Sequence, residues 1–214
     1  MTPRQRKLTI TAHVAFSVGW LGATSAFLAL SIFGVTSHNV DVVRGVYLSM
    51  DLISRFVVIP MSFAALATGL LQALGTPWGL FRYYWIIAKF GLAILATSAL
   101  LMHQFSAVAE GAKRVSGAAA EALFSPQLGP LKTELVRAPS VAILVLLVAT
   151  TLGVYKPWGL TRYGQRKQRE RSGVPQEPLG APFGLKVFLA IIGMLVLAFV
   201  VVHLTGHGFD SHGH

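Results

Sequence analysis

The sequence predicts an all-α, polytopic membrane helix bundle with five transmembrane helices. Hydrophobic residues make up 54% of the chain, charged residues make up only 12%, and the mean hydropathy is +0.63. Four apolar segments reach the roughly 20 residues that a helix needs to cross about 30 Å of hydrocarbon, and one more segment, 140–155, is shorter. The predicted spans are 8–35, 46–74, 83–105, 140–155 and 183–204.

The first span follows the basic start MTPRQRK and contains ATSA, which resembles a signal-peptide cleavage site. Apolar sequence continues beyond this site through FLALSIFGV, so we expect a retained membrane helix. Glycine and proline inside the later spans do not indicate strands, because membrane helices tolerate both. We therefore treat all five segments as helices of one integral membrane domain.

Two connections are long enough to carry structure. Residues 106–139 form a predicted outer loop whose first half has helical composition and whose second half is broken by Pro126, Gly129 and Pro130. Residues 156–182 form a basic loop that ends in the Pro/Gly-rich stretch RSGVPQEPLGAP. The amino terminus is predicted to lie inside, because this orientation leaves eleven basic residues in cytoplasmic segments and five outside.

The formal charge of +10 is compatible with a polyanionic partner. Because the basic run RYGQRKQRER follows a membrane span, we expect anionic lipid headgroups rather than nucleic acid, or a run that only sets topology. The chain has no cysteine, which excludes disulfides, thiolate metal sites and cysteine nucleophiles. It also shows no hydrolase constellation or phosphate-binding loop.

The phrase PWGL-x-RY occurs twice, at 77–83 and at 157–163. Its proline stops a helix, its glycine permits a turn, and its aromatic and arginine side chains suit the headgroup region. Both copies follow a span that is predicted to run inward, so the second and fourth spans are interpreted as related units of the same orientation. We interpret the phrase as an interfacial anchor; the alternative is that its arginine pairs with a bound anion.

Ionisable residues within membrane spans are costly and therefore informative. Asp51 and Arg55 are one helical turn apart and are expected to pair, unless Arg55 meets a carboxylate-bearing cofactor. His13 and Lys89 each lie about two turns from the predicted cytoplasmic surface and so share a depth. Their plainer alternatives are a histidine bound to a backbone carbonyl and a lysine that extends its ammonium to the interface.

A second histidine arrangement is predicted on the outer side. His103 lies about 21 Å along its helix from Lys89, and His203 ends the fifth span on that same side. Two imidazoles from different helices can hold haem iron in a bundle. The tail HLTGHGFDSHGH adds His207, so either zinc or copper uptake or a flexible end is possible.

Three short motifs together resemble known membrane families. They are AHVAFSVGWLG with His13 and Trp20, RFVVIPMSFAALATGL with Arg55, Pro60 and Gly69, and YWIIAK with Trp85 and Lys89. Over residues 8–105 their order is similar to that of HemJ-type protoporphyrinogen oxidases and copper-resistance D-type membrane proteins. The whole chain resembles a family of bacterial integral membrane proteins without an assigned activity.

The HemJ-type resemblance implies that His13 ligates haem b and that Lys89 serves activity or contacts the tetrapyrrole, with Trp20 and Arg55 in the cofactor region. The fourth and fifth spans lie outside the shared core, which weighs against oxidase activity more than against haem binding. We expect a haem b-binding protein of the bacterial inner membrane with a redox or tetrapyrrole-related role. The alternatives are a metal-handling protein that uses the histidine tail, and a non-catalytic subunit or assembly factor of a membrane complex. The partners to expect are membrane lipids, a redox or membrane-complex partner, and a second copy of the chain in a homo-oligomer.

Overall fold

The computed structural model describes residues 2–75, 79–103, 108–117, 129–156 and 159–172, without the side chains of His103, Arg169, Arg171 and Ser172. Helix accounts for 91% of these residues, and no strand occurs among them. Seven α-helices follow one another along this part of the chain. They are α1 (Pro3–Thr36), α2 (Val40–Ile53), α3 (Ile59–Gly75), α4 (Tyr84–His103), α5 (Ala109–Gly117), α6 (Gly129–Tyr155) and α7 (Arg162–Ser172).

Four helical stretches are long and apolar enough to cross a membrane: α1, the continuous stretch Val40–Gly75, α4 up to Met102, and α6. The fifth predicted span, 183–204, lies outside the described residues. The fourth span is longer than its apolar run suggests, because α6 begins at Gly129 and continues through Pro139. Parts of the predicted outer loop are thus helical, as α5 and as the first turns of α6.

Local sequence fixes where the first two helices begin. Thr2 and Gln5 form a reciprocal capping box at the start of α1, and Pro3 occupies the first turn, where its missing N–H costs nothing. The side chain of Asn39 accepts hydrogen bonds from the backbone N–H groups of Asp41 and Val42 and so caps α2. A five-residue π-helical turn, Ser54–Val58, joins α2 to α3 without breaking the helix.

The four apolar stretches pack as an antiparallel bundle. Each contacts two neighbours, in the cyclic order α1, α3, α4, α6, so that α1 and α4 lie on one diagonal. Contacts between the helices show their directions: His13 near the start of α1 meets Ala65, which lies in the second half of the stretch Val40–Gly75. Tyr83 before α4 meets Leu160 after α6, at the same end of the bundle. We call this the repeat-loop end, since the described parts of both copies of PWGL-x-RY, residues 79–83 and 159–163, lie there.

At the opposite end, α5 and the first turns of α6 join α1 and α2 in a separate apolar core. Gly34 brings α1 close to α2, because a Cβ at this position would lie only 2.8 Å from Cγ1 of Val46. The buried members of this core are Phe27, Val43, Val46, Tyr47, Met50, Val108, Val115 and Leu135. The predicted helical outer segment therefore packs on the bundle instead of extending away from it.

The bundle places apolar side chains on its outside. Phe56 is 73% exposed and Val18 is 64% exposed, whereas Ser54 and Ser62 are fully buried. Small hydroxyl residues inside and large apolar residues outside are typical of helices that pack within lipid. The arrangement is that of a membrane-compatible bundle.

The two repeat loops are hydrogen-bonded to each other. An isolated antiparallel bridge joins Tyr83 and Leu160, and the backbone N–H of Thr161 donates to the carbonyl of Arg82 at 2.9 Å. The Thr161 hydroxyl donates to the carbonyl of Phe81 at 2.6 Å and accepts from the N–H of Gly164 at 3.0 Å. One threonine therefore caps α7 and fastens it to the loop before α4.

Gly34→Ala is expected to destabilise the fold, because the added methyl group collides with Val46. Overpacking of this kind costs about 1–3 kcal/mol. The melting temperature of the detergent-purified protein should fall. Gly22→Ala, on the same helix with nothing within 4 Å of the new Cβ, should leave it unchanged or raise it. Equal losses in both variants would contradict the close approach of α1 and α2.

Gly164→Ala is expected to detach α7, because its Cβ would overlap the backbone carbonyl of Arg82. Trypsin should then cleave at the basic residues of α7 faster than in the unchanged protein, since a docked helix resists proteolysis. Gly159→Ala is the matched control, as nothing lies within 4 Å of its Cβ. A cleavage rate in Gly164→Ala equal to that of the control would refute the loop-to-loop docking.

Candidate functional site: a histidine–lysine pair between diagonal helices

His13 and Lys89 meet across the bundle near the repeat-loop end. Nζ of Lys89 lies 3.3 Å from Nε2 of His13, although α1 and α4 are diagonal to each other. The prediction that the two share a depth is therefore matched by direct contact. Both side chains are partly buried, so the pair keeps an open side.

The imidazole is oriented by α3. Its Nδ1 lies 3.1 Å from the backbone carbonyl of Ala65 and 3.2 Å from the hydroxyl of Thr68. A carbonyl can only accept, so Nδ1 carries a proton and donates it to Ala65. Thr68 itself donates to the carbonyl of Ala64 at 2.6 Å, which leaves its oxygen free to accept from Nδ1. The Nε2 atom, which faces Lys89, is consequently the acceptor of the pair in a neutral ring.

Two glycines make room for this contact. A Cβ on Gly69 of α3 would lie 3.1 Å from Cε1 of His13, and a Cβ on Gly153 of α6 would lie 3.2 Å from Nζ of Lys89. Each of the four apolar stretches thus contributes one residue to a single layer, with side chains on one diagonal and glycines on the other. The layer can hold a large polar pair only because the glycines are small.

Lys89 has no carboxylate partner among the residues that the structure describes. Its hydrogen bond goes to His13, whereas Asp51, Glu110 and Glu134 each form an ion pair with an arginine. A lysine ammonium has three donors, and the neutral imidazole uses one of them. The site therefore offers donors to an anionic group that approaches its open side.

Other predicted site residues lie elsewhere. Trp20 is two turns along α1 from His13, is 3% exposed, and packs in the bundle core against Val58, Ala65, Ala96 and Leu146. Arg55 donates from Nε to Asp51 at 2.8 Å, as its spacing predicts. Ten residues of helix separate Arg55 from Ala65, about 15 Å of rise, so Arg55 is not part of the His13–Lys89 layer.

The predicted outer histidine pair cannot be located in the same way. His103 is the last residue of α4, and the structure describes its backbone but not its side chain. His203 and His207 also lie outside the described residues. Within the described ranges, no group of three or more His, Asp or Glu side chains could hold a metal ion. Metal uptake by the tail stays a prediction from sequence.

Sequence reasoning overlooked three contributors to this end of the bundle. Thr68 and Gly153 give no signal of their own, because one is an ordinary helix threonine and the other an ordinary helix glycine. Thr161 had a signal, since it occupies the one variable position inside the repeated phrase, where the first copy has Phe81. The position at which the two copies differ is one of the positions at which they touch.

Comparison of the chain with models of protein families, with curated proteins and with solved structures finds no match. The resemblance to HemJ-type and copper-resistance D-type proteins consequently stays a prediction from the motifs around His13, Arg55 and Lys89.

Proposed function

We propose that the protein binds haem b through His13 and has a redox or tetrapyrrole-related role in a bacterial inner membrane. One observation carries the proposal: the Nδ1 atom of His13 is fixed by the Ala65 carbonyl, and its Nε2 atom faces a partly open, polar layer between helices. Iron-ligating histidines are typically held in this way, with the remote N–H bonded to a backbone carbonyl or carboxylate.

The donor chemistry of the layer fits a haem. A neutral imidazole whose Nε2 carries no proton could ligate haem iron, and a lysine ammonium could pair with a porphyrin carboxylate. In the described arrangement Nζ of Lys89 occupies the direction in which Nε2 would bind iron. The flexible four-carbon stem of lysine lets the ammonium leave Nε2 and bond to a carboxylate instead.

Haem supplies one-electron chemistry when it is bound, and the protein supplies ligation, orientation and polarity. The Ala65 carbonyl holds the imidazole in one tautomer and increases the basicity of Nε2. Lys89 holds protons at Nζ beside the ligand, and Gly153 leaves the space in which that ammonium can reorient. The surrounding apolar core, including Trp20, limits the access of water to the layer.

An absorption spectrum tests His13 as the ligand. Protein that is expressed with haem precursors and purified in detergent should show a Soret band, and His13→Ala should lose most of it. His38→Ala, at an exposed histidine outside the helices, is the matched control. His103→Ala separates the inner site from the predicted outer pair. Absence of a Soret band in the unchanged protein rejects haem binding, and loss of the band only in His103→Ala moves the site to the outer side.

The role of Lys89 is tested with two porphyrins. Lys89→Met keeps the length of the side chain but removes the charge, so haem should bind about tenfold more weakly, since a hydrogen bond to a charged group contributes roughly 1.5–3 kcal/mol. Haem dimethyl ester has no free carboxylate and should bind the variant and the unchanged protein alike. An equal loss for both porphyrins would show that Lys89 acts on packing and not on the carboxylate.

A further inference from the structure

Helix α7 presents a basic surface at the repeat-loop end. Its sequence RYGQRKQRERS contains five basic residues and one acidic residue, Glu170. The side chains of Arg162, Arg166 and Lys167 are exposed. None of the ion pairs of the described residues involves these three side chains. Nζ of Lys167 instead donates to the hydroxyl oxygen of Tyr163 at 3.2 Å and lies over the ring of that tyrosine.

The first turn of α1 adds positive charge at the same end. Arg4, Arg6 and Lys7 are exposed on the part of α1 that precedes His13. The described carboxylates other than Glu170 belong to α2, α5 and the beginning of α6, away from the repeat loops; they are Asp41, Asp51, Glu110 and Glu134. Charge is therefore strongly asymmetric along the bundle axis.

The position of α7 is set by the contact between the two repeat loops. Thr161 holds the first turn of α7 against the carbonyls of Phe81 and Arg82. These two residues lie in the loop that ends at Tyr83, and α4 begins at the next residue. Tyr83, Tyr84 and Trp85 are aromatic residues of the kind that concentrates at the membrane surface. The basic side chains of α7 are consequently kept beside this aromatic cluster, independently of the histidine–lysine layer.

We propose that α7 and the first turn of α1 form a docking surface for anionic phospholipid headgroups, and that Thr161 positions α7 for this binding. The charge of the surface complements a phosphodiester, which arginine forks and lysine ammonium groups recognise. A lipid is favoured over a soluble polyanion because the surface adjoins apolar spanning helices and an aromatic belt. Arg162, Arg166 and Lys167 are the residues that bind the headgroup.

Native mass spectrometry of the full chain tests the surface. The detergent-purified protein is mixed with equal amounts of phosphatidylglycerol and phosphatidylcholine, and the ratio of the two retained lipids is measured. The triple variant Arg162→Gln, Arg166→Gln, Lys167→Gln should lower the preference for phosphatidylglycerol about tenfold, as expected when several near-surface cations are lost. The matched control, Lys113→Gln, Arg114→Gln, Lys132→Gln, removes the same charge from α5 and α6 and should keep the preference.

The positioning role of Thr161 is tested with all charges intact. Thr161→Val removes the hydroxyl that bonds to Phe81 and Gly164 and should lower the phosphatidylglycerol preference, whereas Thr161→Ser should retain it. An unchanged ratio in the triple variant, or equal retention of both lipids by the unchanged protein, overturns the lipid surface. An unchanged ratio in Thr161→Val overturns the positioning role. Displacement of the lipid by millimolar inorganic phosphate would assign the surface to free anions instead.

Discussion

The packing of this bundle near the repeat-loop end depends on the contact between His13 and Lys89. Polar groups between apolar helices must bond to one another, because each unsatisfied group costs several kcal/mol in a hydrocarbon environment. The Ala65 carbonyl satisfies Nδ1, Lys89 satisfies Nε2, and glycines at 69 and 153 provide the space. Four helices are thereby held in one register by a pair of side chains from only two of them.

A second set of contacts closes the same end of the molecule. The repeated phrase looks like two separate interfacial anchors in the sequence, but the structure joins the copies through Thr161 and the bridge between Tyr83 and Leu160. The helices α4 and α6 thus share one docked connection, and α7 continues directly from it. The loop before α4 and the loop after α6 connect the histidine–lysine layer to α7. The layer and the basic surface of α7 therefore lie at the same end of the bundle.

Much of the candidate site follows from spacing alone. Helix rise is fixed at about 1.5 Å per residue, so counting from the basic and aromatic boundary residues places His13 and Lys89 at one depth. The Asp51–Arg55 ion pair likewise follows from an interval of four residues. The extent of α6 did not follow, because a count of apolar residues stops at Ser140, whereas helix hydrogen bonds continue through polar residues and across Pro139 to Gly129.

The sequence by itself determined that this chain forms long apolar helices and that a few charged groups lie within them, since composition and helix geometry depend only on local residues. Tertiary structure alone decided that α1 and α4 face each other diagonally, that Gly153 lies beneath Lys89, and that Thr161 clamps the two repeats together. The physical reason is that helices which are apolar on all sides show little periodicity to indicate their buried face. Their rotation is chosen by small residues and hydrogen bonds that become visible only when the helices are packed.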